Sequence, residues 1–303
     1  MNSRPVSRPV SRPVTEDDFE RVAALLREDE ERLLGRASRI GENDLREWLS
    51  RTDLANDTWL YEEDGGIVAV GWTDLAPSSD VAIGIGVVAT EWKGRGLGAE
   101  ILQRSEQRAR DRRAARMHAI ALGADEAASR LISAHGYTEI RRFYDMAIDQ
   151  TEPPPPVSLP IEPVREDELR EFHATLDESF QDHWEHHSES FDDWWGRHSQ
   201  NPNLDLSLWF LVRDGDEIAA VTRNEGNRNG GGYIGALGVR RAFRGKGYAK
   251  ALLLHSFREF FERGMPRVTL GVDAQNPTGA THLYERVGMH VEMENVVFEK
   301  PLL

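Results

Sequence analysis

The chain has 303 residues, of which 52 are acidic and 37 basic, giving a net charge of −15, and it contains no cysteine. The lack of cysteine excludes disulfides, thiolate zinc sites and cysteine nucleophiles, and the acidic balance argues against nucleic acid as the main partner. No apolar run reaches membrane-spanning length and no secretory leader is recognisable, so we expect a cytoplasmic protein without a membrane partner. The length suits two domains of ordinary size.

The N-terminus repeats the tetrapeptide SRPV within residues 3–14. Proline at every fourth position prevents helix formation, so residues 1–11 are predicted to form a flexible tail. The first strand is expected to begin with residues 12–14. Thr15 is a typical N-cap residue, which predicts a helix from residue 16 to about residue 27.

A hairpin and a further strand follow in the first half of the chain. Residues 59–61 and 67–72 flank Asp64-Gly65-Gly66, a sequence typical of a tight turn between two strands. Val81–Val88 is apolar and predicts the next strand. It leads into residues 90–98, a basic segment punctuated by glycines.

The second half of the chain repeats the first. Four prolines at 153–156 should form a stiff linker. Landmarks then recur about 150 residues on: Val14 and Val164, Trp59 and Trp209, Gly96 and Gly247, and Gly136 and Gly288. We interpret this as an internal duplication, with an N-terminal domain at 12–150, a linker at 151–157 and a C-terminal domain at 158–303. Each copy should have a strand, one or two helices, three antiparallel strands, the glycine turn with its helix, a strand, a short helix and a closing pair of strands.

The second glycine turn lies within residues 233–253, where an apolar strand segment passes through a basic turn into a segment of helical periodicity. The first N–H groups of a helix lack intrahelical acceptors and carry the positive end of the helix dipole. Gly245 and Gly247 would let a phosphate approach them. A Walker loop is absent, and a GxGxxG fingerprint starting at Gly245 fails at Lys250. The segment therefore predicts a phosphate site of another type.

Residues 244–249 resemble the Arg-x-x-Gly-x-Gly/Ala signature of the GCN5-related N-acetyltransferases (GNAT). The resemblance implies an α/β (α+β) fold of two tandem GNAT domains, each a mixed, mostly antiparallel twisted sheet flanked by helices. It also implies acetyl-CoA as the cofactor, with its pyrophosphate in the turn. The cofactor-binding residues implied are Leu237, Val239, Arg244, Gly245, Lys246, Gly247, Tyr248 and Ala249 in the second copy, and Val88, Lys93, Gly94, Arg95, Gly96 and Gly98 in the first.

The second copy alone carries two further residues of the family pattern. Asn276 and Tyr284 resemble the motifs Asn-x-x-Ala and Leu-Tyr-x-x-x-Gly, which implies that Asn276 contacts the pantetheine arm and Tyr284 protonates the departing thiolate. The aligned residues of the first copy are Ala124 and Ile132. A phenol of pKa near ~10 can protonate a thiolate of pKa near ~8.5 without being ionised at neutral pH, and isoleucine cannot. The alternative for Tyr284 is an aromatic core residue.

The attacking amine must be neutral, and the sequence offers Glu225 and Glu178 as candidate bases, with a solvated carboxylate as the alternative for each. The resemblance places the acceptor wall in the segment that contains Glu178. Aromatic rings beside carboxylates suit an amine-bearing ligand. The predicted substrate-binding residues are Glu178, Asp182, His183, Trp184 and Tyr233.

Three points about these residues bear on specificity. Tyr233 stands where mycothiol synthase-like two-domain acetyltransferases have a glutamate. For Trp194 and Trp195 the alternative to substrate binding is packing on the sheet. His183, His186 and His187 have helical ligand spacing, but no further ligand motif accompanies them, so no metal is predicted.

We therefore expect an acetyl-CoA-dependent N-acetyltransferase that acetylates a primary amine of a small molecule by direct attack in the C-terminal domain. The first copy is expected to be degenerate and non-catalytic. Two alternatives share these residues: a self-resistance or detoxifying enzyme acting on an antibiotic-like amine, and a non-enzymatic acyl-CoA sensor. The chain is expected to be a monomer or a homodimer.

Overall fold

A computed structural model describes residues 8–50, 52–75, 80–184, 186, 188–201, 204–228, 230–276 and 278–302. The chain divides into two compact units. The first comprises Met1–Phe143 with Met293–Leu303, and the second comprises Tyr144–Glu292.

The elements of the first half are β1 (Val10–Arg12), α1 (Phe19–Leu34), α2 (Glu42–Trp48), α3 (Leu54–Asp57), β2 (Thr58–Glu63), β3 (Gly66–Asp74), β4 (Val81–Val88), α4 (Leu97–Asp111), β5 (Arg116–Leu122), α5 (Glu126–Ala134) and β6 (Thr138–Asp149). The elements of the second half are β7 (Glu162–Pro163), α6 (Leu169–Phe180), α7 (Phe191–His198), β8 (Phe210–Asp214), β9 (Glu217–Arg228), β10 (Gly231–Val239), α8 (Tyr248–Glu262), β11 (Arg267–Asp273), α9 (Ala280–Arg286) and β12 (His290–Pro301). Apart from the short helix α3, which has no helical counterpart in the second half, strands and helices follow in the same order in each half, as the duplication predicts. The mixed, mostly antiparallel α/β fold is confirmed.

The first unit is built on an antiparallel meander. β1 pairs with β2, β2 with β3 and β3 with β4, and the hairpin between β2 and β3 turns through Asp64 and Gly65, both with positive φ. β1 begins at Val10, so the predicted flexible tail is too long at its C-terminal end. Arg12 anchors this strand, because its guanidinium donates to Asp18 and Glu62. The N-terminal part of the predicted tail lies outside the described residues.

The closing strands do not follow the predicted domain boundaries. Residues 295–301 of β12 pair antiparallel with β5, and Val296 and Phe298 are buried in the core of the first unit. Residues 144–149 of β6 belong to the second unit, where Met146 is fully buried in the core. Each half therefore ends in one long strand rather than a pair of strands.

The second unit repeats the meander, with β7, β8, β9 and β10 paired in succession and β11 parallel to β10. Its core gathers the apolar face of α8 and the aromatic residues of the preceding helices. Phe172 stacks on Trp209 with ring centroids 5.4 Å apart, and Trp194 lies 5.7 Å from Trp209. Trp194 is only 4% exposed, so it packs in the core, as the alternative interpretation predicted.

Candidate active site

β10 and β11 separate after two residue pairs in the second unit. The parallel register joins Gly232 to Val268 and Tyr233 to Thr269, although both strands continue beyond this point. The pairing of β10 with β9 is also interrupted, because its register shifts between Ile234 and Ala236. A bulge turns the following carbonyl and N–H groups away from the regular ladder. The result is a cleft between the ends of two neighbouring strands.

The glycine turn stands at the end of β10. Gly245 and Gly247 have φ values of 83° and 87°, a left-handed conformation that L-residues with side chains rarely adopt. α8 then begins at Tyr248, with Gly247 as its N-cap. The first N–H groups of a helix have no acceptor in the preceding backbone, so this end of α8 has the geometry that the predicted anion site requires.

A cavity of about 600 Å³ joins the cleft to the turn. This volume is within the range of small-molecule and cofactor sites. The cavity is lined by Ser179, His183, Leu237, Gly238, Val239, Phe243, Arg244, Gly245, Gly247, Tyr248, Ala249, Lys250, Thr278, Gly279, Ala280, Leu283, Tyr284 and Arg286. Most of the predicted cofactor residues of the second copy therefore meet in one place. The sequence analysis predicted Tyr284 of α9 but missed Ser179 of α6 and Leu283 and Arg286 of α9, because nothing local marks them.

The cations of the turn itself are already paired. Arg244 donates to Asp182 at 3.2 Å and to the carbonyl of Val239 at 3.3 Å, and Lys246 donates to Asp214. Hydrogen bonds from Arg241 and, to a smaller extent, from Arg244 hold the pKa of the Asp182 carboxyl below its usual value. Lys246 is not among the residues that line the cavity. Internal carboxylates thus compete with a phosphate for these cations.

Two cations of the cavity wall lack such partners. Lys250, in the first turn of α8, and Arg286, the last residue of α9, are exposed and line the cavity. Neither makes a hydrogen bond or ion pair with any part of the chain that the structure describes. They supply free positive charge beside the turn.

Tyr284 projects from α9 into the cavity wall and is 8% exposed. Burial raises the pKa of its phenol to about 12, and the neighbouring Tyr233 adds to the rise. Among the described residues, none hydrogen-bonds the hydroxyl. The phenol is therefore protonated at neutral pH and free to donate to a ligand.

Asn276 is not where the family pattern implies. Its side-chain oxygen accepts hydrogen bonds from the N–H of Thr278 at 2.8 Å and from the hydroxyl of Thr278 at 2.6 Å. These bonds shape the turn before α9, and Asn276 is not among the residues that line the cavity. In this conformation Asn276 supports the loop that carries Thr278 and Gly279 to the cavity.

Glu225 is held by two arginines rather than free to act as a base. It is 3% exposed and accepts hydrogen bonds from Arg223 and, at 2.9 Å, from Arg228. Each of its two carboxylate oxygens is thus already occupied by a guanidinium donor. The Arg228 guanidinium also lies 3.8 Å from the centroid of the Tyr233 ring. The contacts of Glu225 therefore support positioning of Tyr233 instead of the predicted proton abstraction.

The predicted acceptor wall is only partly in the cavity. His183 lines it, and burial lowers the pKa of its imidazole. Glu178 accepts a hydrogen bond from Arg240 at 2.7 Å, and Trp184 is half-buried outside the lining. His187 lies outside the described residues, and within the described part of the chain there is no cluster of three or more potential metal ligands.

The corresponding turn of the first unit has the same backbone but little space. Gly94 and Gly96 have φ values of 77° and 90°, yet the cavity beside α4 measures only about 70 Å³. Leu131 fills part of it, since a methyl group at Gly98 would lie 2.9 Å from the Leu131 side chain. Ile132, which aligns with Tyr284, is buried in the core.

The charges of the first turn are also satisfied internally. Lys93 donates to Asp29 at 2.9 Å and to Asp125 at 3.2 Å, and the Arg95 guanidinium lies 4.4 Å from the centroid of the Trp92 ring. The register of β3 with β4 shows no shift like the one in β10. β4 and β5 also separate beyond the pair Gly84 and Ala119, but the cavity beside α4 is small.

No helix within the described ranges is both long enough and apolar enough to cross a membrane.

Comparison with known proteins gives consistent matches. The profile of the Acetyltransferase (GNAT) family matches residues 19–137 and 163–289. A mycothiol acetyltransferase of Acidothermus cellulolyticus is 29% identical over 271 residues, covering 80% of this chain and 78% of that protein. The crystal structure of a GCN5-related N-acetyltransferase from Sphaerobacter thermophilus superposes with a TM-score of 0.86 at 28% identity, covering 99% of this chain and 97% of that one. A tandem GNAT protein from the clavulanic acid biosynthesis pathway has a TM-score of 0.74 at 15% identity, covering 97% and 98% of the two chains, which is a likeness of fold.

Proposed function

Because this chain belongs to the GNAT family of acetyltransferases, we propose that its second unit transfers the acetyl group of acetyl-CoA to a primary amine of a small molecule. One observation carries the proposal: the residues of the glycine turn and Tyr284 line the same cavity of about 600 Å³. In the first unit the cavity beside α4 measures only about 70 Å³, and Ile132 stands in place of Tyr284.

The residues fit the coenzyme. The N–H groups at the start of α8 would hold the pyrophosphate, and Lys250 and Arg286 would add the charge that the paired cations of the turn do not supply. The separated ends of β10 and β11 would admit the pantetheine arm. Backbone groups at Leu237 and Val239, beyond the bulge, would orient the thioester carbonyl.

The acetyl transfer needs no covalent enzyme intermediate. The neutral amine nitrogen attacks the thioester carbon, the C–S bond breaks, and the proton lost by nitrogen is balanced by the proton gained by sulfur. With a pKa of about 12, Tyr284 keeps its own proton at neutral pH. Complete transfer to a thiolate of pKa near ~8.5 is uphill by on the order of 5 kcal/mol. Tyr284 therefore acts as a hydrogen-bond donor. Its hydroxyl stabilises the departing thiolate until the sulfur is protonated.

The first unit, in this proposal, binds no coenzyme and has a structural role. Its small cavity and the pairing of Lys93 with two carboxylates support this division of labour. Calorimetric titration with CoA should then give one site per chain. Two sites would assign binding to the first unit as well.

The catalytic part of the proposal is tested with Tyr284→Phe. Coupled thiol release is measured with acetyl-CoA and a panel of small primary amines, and the product mass is checked for one acetyl group. We expect turnover to fall about 100-fold or more, because removing one hydrogen-bond donor to a developing negative charge typically costs that much. The dissociation constant of CoA should change less than twofold.

Tyr137→Phe is the matched control, since Tyr137 is another buried phenol, in the core of the first unit. It should leave turnover unchanged. Wild-type turnover in Tyr284→Phe would remove Tyr284 from the mechanism. Coenzyme binding without acetylation of any amine would instead favour the acyl-CoA sensor.

A further inference from the structure

A row of polar side chains crosses one face of the second unit's sheet beside the cleft. Tyr233 of β10 is the register partner of Glu225 in β9 and of Thr269 in β11. Side chains of directly paired residues point to the same face, and residues two apart on a strand share that face. Gly271 therefore continues the row along β11. This face lies opposite α8, because a methyl group at the neighbouring Gly232 would touch the Phe260 ring of that helix.

Asp145 lies on β6, the strand next to β11, and its side chain is close to Gly271. A methyl group added to Gly271 would lie 3.5 Å from Oδ1 of Asp145 and 3.7 Å from the hydroxyl of Tyr233. Gly271 is itself exposed. The glycine thus leaves an accessible gap, bounded by a carboxylate and a phenol.

Two hydroxyl groups on this face of the sheet have hydrogen-bonding capacity to spare. Thr269 is 6% exposed, and its Oγ1 is buried without a hydrogen-bond partner in the described structure. The Tyr233 hydroxyl likewise makes no hydrogen bond within the described ranges. A buried hydroxyl without a partner destabilises the protein, so a polar ligand that bonds to it gains from the contact. The Arg228 guanidinium, anchored by Glu225, fixes the ring of Tyr233 from one side.

We propose that Asp145, Tyr233 and Thr269 form the acceptor subsite, with Asp145 binding the ammonium group of the incoming amine and the two hydroxyls binding a neighbouring hydroxyl of the same molecule. The substrate class is a small amino alcohol, and this inference rests on the acetyltransferase function proposed above. The pairing of β10 with β11 ends at Tyr233 and Thr269, so these residues lie where the cleft between the two strands opens. Tyr233 also contributes to the raised pKa of the Tyr284 phenol. Asp145 was missed by the sequence analysis because β6 was assigned to the other domain.

Gly271→Ala is the sharpest test. Both contacts of the added methyl group are at ordinary van der Waals distance, and the Gly271 backbone is not left-handed, so the variant should fold normally. The methyl group would nevertheless fill the gap. Gly226→Ala, on β9, is the matched control, because its added methyl group would also meet its nearest atoms at 3.5–3.6 Å.

Asp145→Asn tests the charge. Its control is Asp149→Asn, a carboxylate on the same strand that pairs with Arg267 at 3.0 Å, while Arg267 keeps Glu292 as a second partner.

Steady-state acetylation is measured with ethanolamine, propylamine, tyramine and glucosamine as acceptors. We expect the wild type to favour ethanolamine over propylamine. Gly271→Ala and Asp145→Asn should each raise the acceptor KM at least tenfold, with the acetyl-CoA KM and the melting temperature unchanged and both controls at wild-type values. Acceptor KM values within twofold of wild type in both variants would overturn the subsite while leaving the acetyltransferase function intact. A wild type that binds CoA but acetylates none of these amines would overturn both.

Discussion

The two free cations of the coenzyme cavity lead to a specific prediction about affinity. Lys250 and Arg286 are exposed and line the cavity beside the turn. Replacing both by glutamine preserves much of each side chain's length and removes both charges. If these residues hold the phosphates of CoA, the double variant should bind CoA more weakly while its fold and its hydrophobic contacts remain.

The size of the effect follows from their exposure. A cation 4–6 Å from a phosphate in a medium close to water contributes about 0.5–1 kcal/mol, since solvent screens exposed pairs. Two such cations together give about 1.4 kcal/mol, which is roughly tenfold in the dissociation constant. The loss should shrink at high salt, where exposed charges interact less.

Calorimetry of the coenzyme and its fragments is the assay. The dissociation constant of CoA should rise about tenfold in the double variant, and that of pantetheine, which has no phosphate, should not change. Dephospho-CoA then reports whether the 3′-phosphate or the pyrophosphate is the partner. The control is Arg165→Gln with Arg170→Gln, which makes the same change in net charge at exposed sites outside the cavity lining.

CoA binding within twofold of wild type would show that the phosphates reach neither cation. An equal loss for pantetheine would show that the substitutions damaged the pocket rather than its charge. Either result refutes the reasoning from free cations.

Two further predictions follow from the contacts at the site. Asp182→Asn should tighten CoA binding about threefold by calorimetry, because it frees Arg241 and Arg244 from an internal anion. Weaker binding would mean that Asp182 positions the turn. The control is Asp192→Asn, which removes the charge of an exposed ion pair elsewhere. The raised pKa of Tyr284 contributes stability that is fully present below pH 10 and is lost as the pH rises from about 10 toward about 12. Urea unfolding of the coenzyme-free protein measures this loss. Between pH 8 and pH 11, the free energy of unfolding should fall by about 1 kcal/mol more in the wild type than in Tyr284→Phe. An equal fall in both proteins would contradict the raised pKa of Tyr284.

Much of the local structure could be predicted because it depends on neighbouring residues. The hairpin around Asp64 and Gly65 needs positive φ at the turn, and the strand Val81–Val88 matches its predicted bounds. The duplication and both glycine turns were visible for the same reason, since Gly245 and Gly247 mark a backbone shape and not a distant contact.

The functional details could not be read in the same way, because side chains far apart in sequence compete for the same partners. The pairing of Arg244 with Asp182, 62 residues away, decides that the conspicuous cation of the turn is occupied. The carboxylate of Glu225, a predicted base, accepts hydrogen bonds from Arg223 and Arg228, which the sequence pattern did not indicate. Such contacts depend on packing, which pattern alone does not specify.

By itself, the sequence determined the two-copy architecture, the family and the difference between Tyr284 and Ile132, since all of these rest on the order and spacing of residues. The tertiary structure decided which turn has a cavity beside it, which cations are free, and that Asp145 belongs to the second unit through β6. The physical reason is that strand pairing and side-chain packing set the distances between residues that the chain itself keeps far apart.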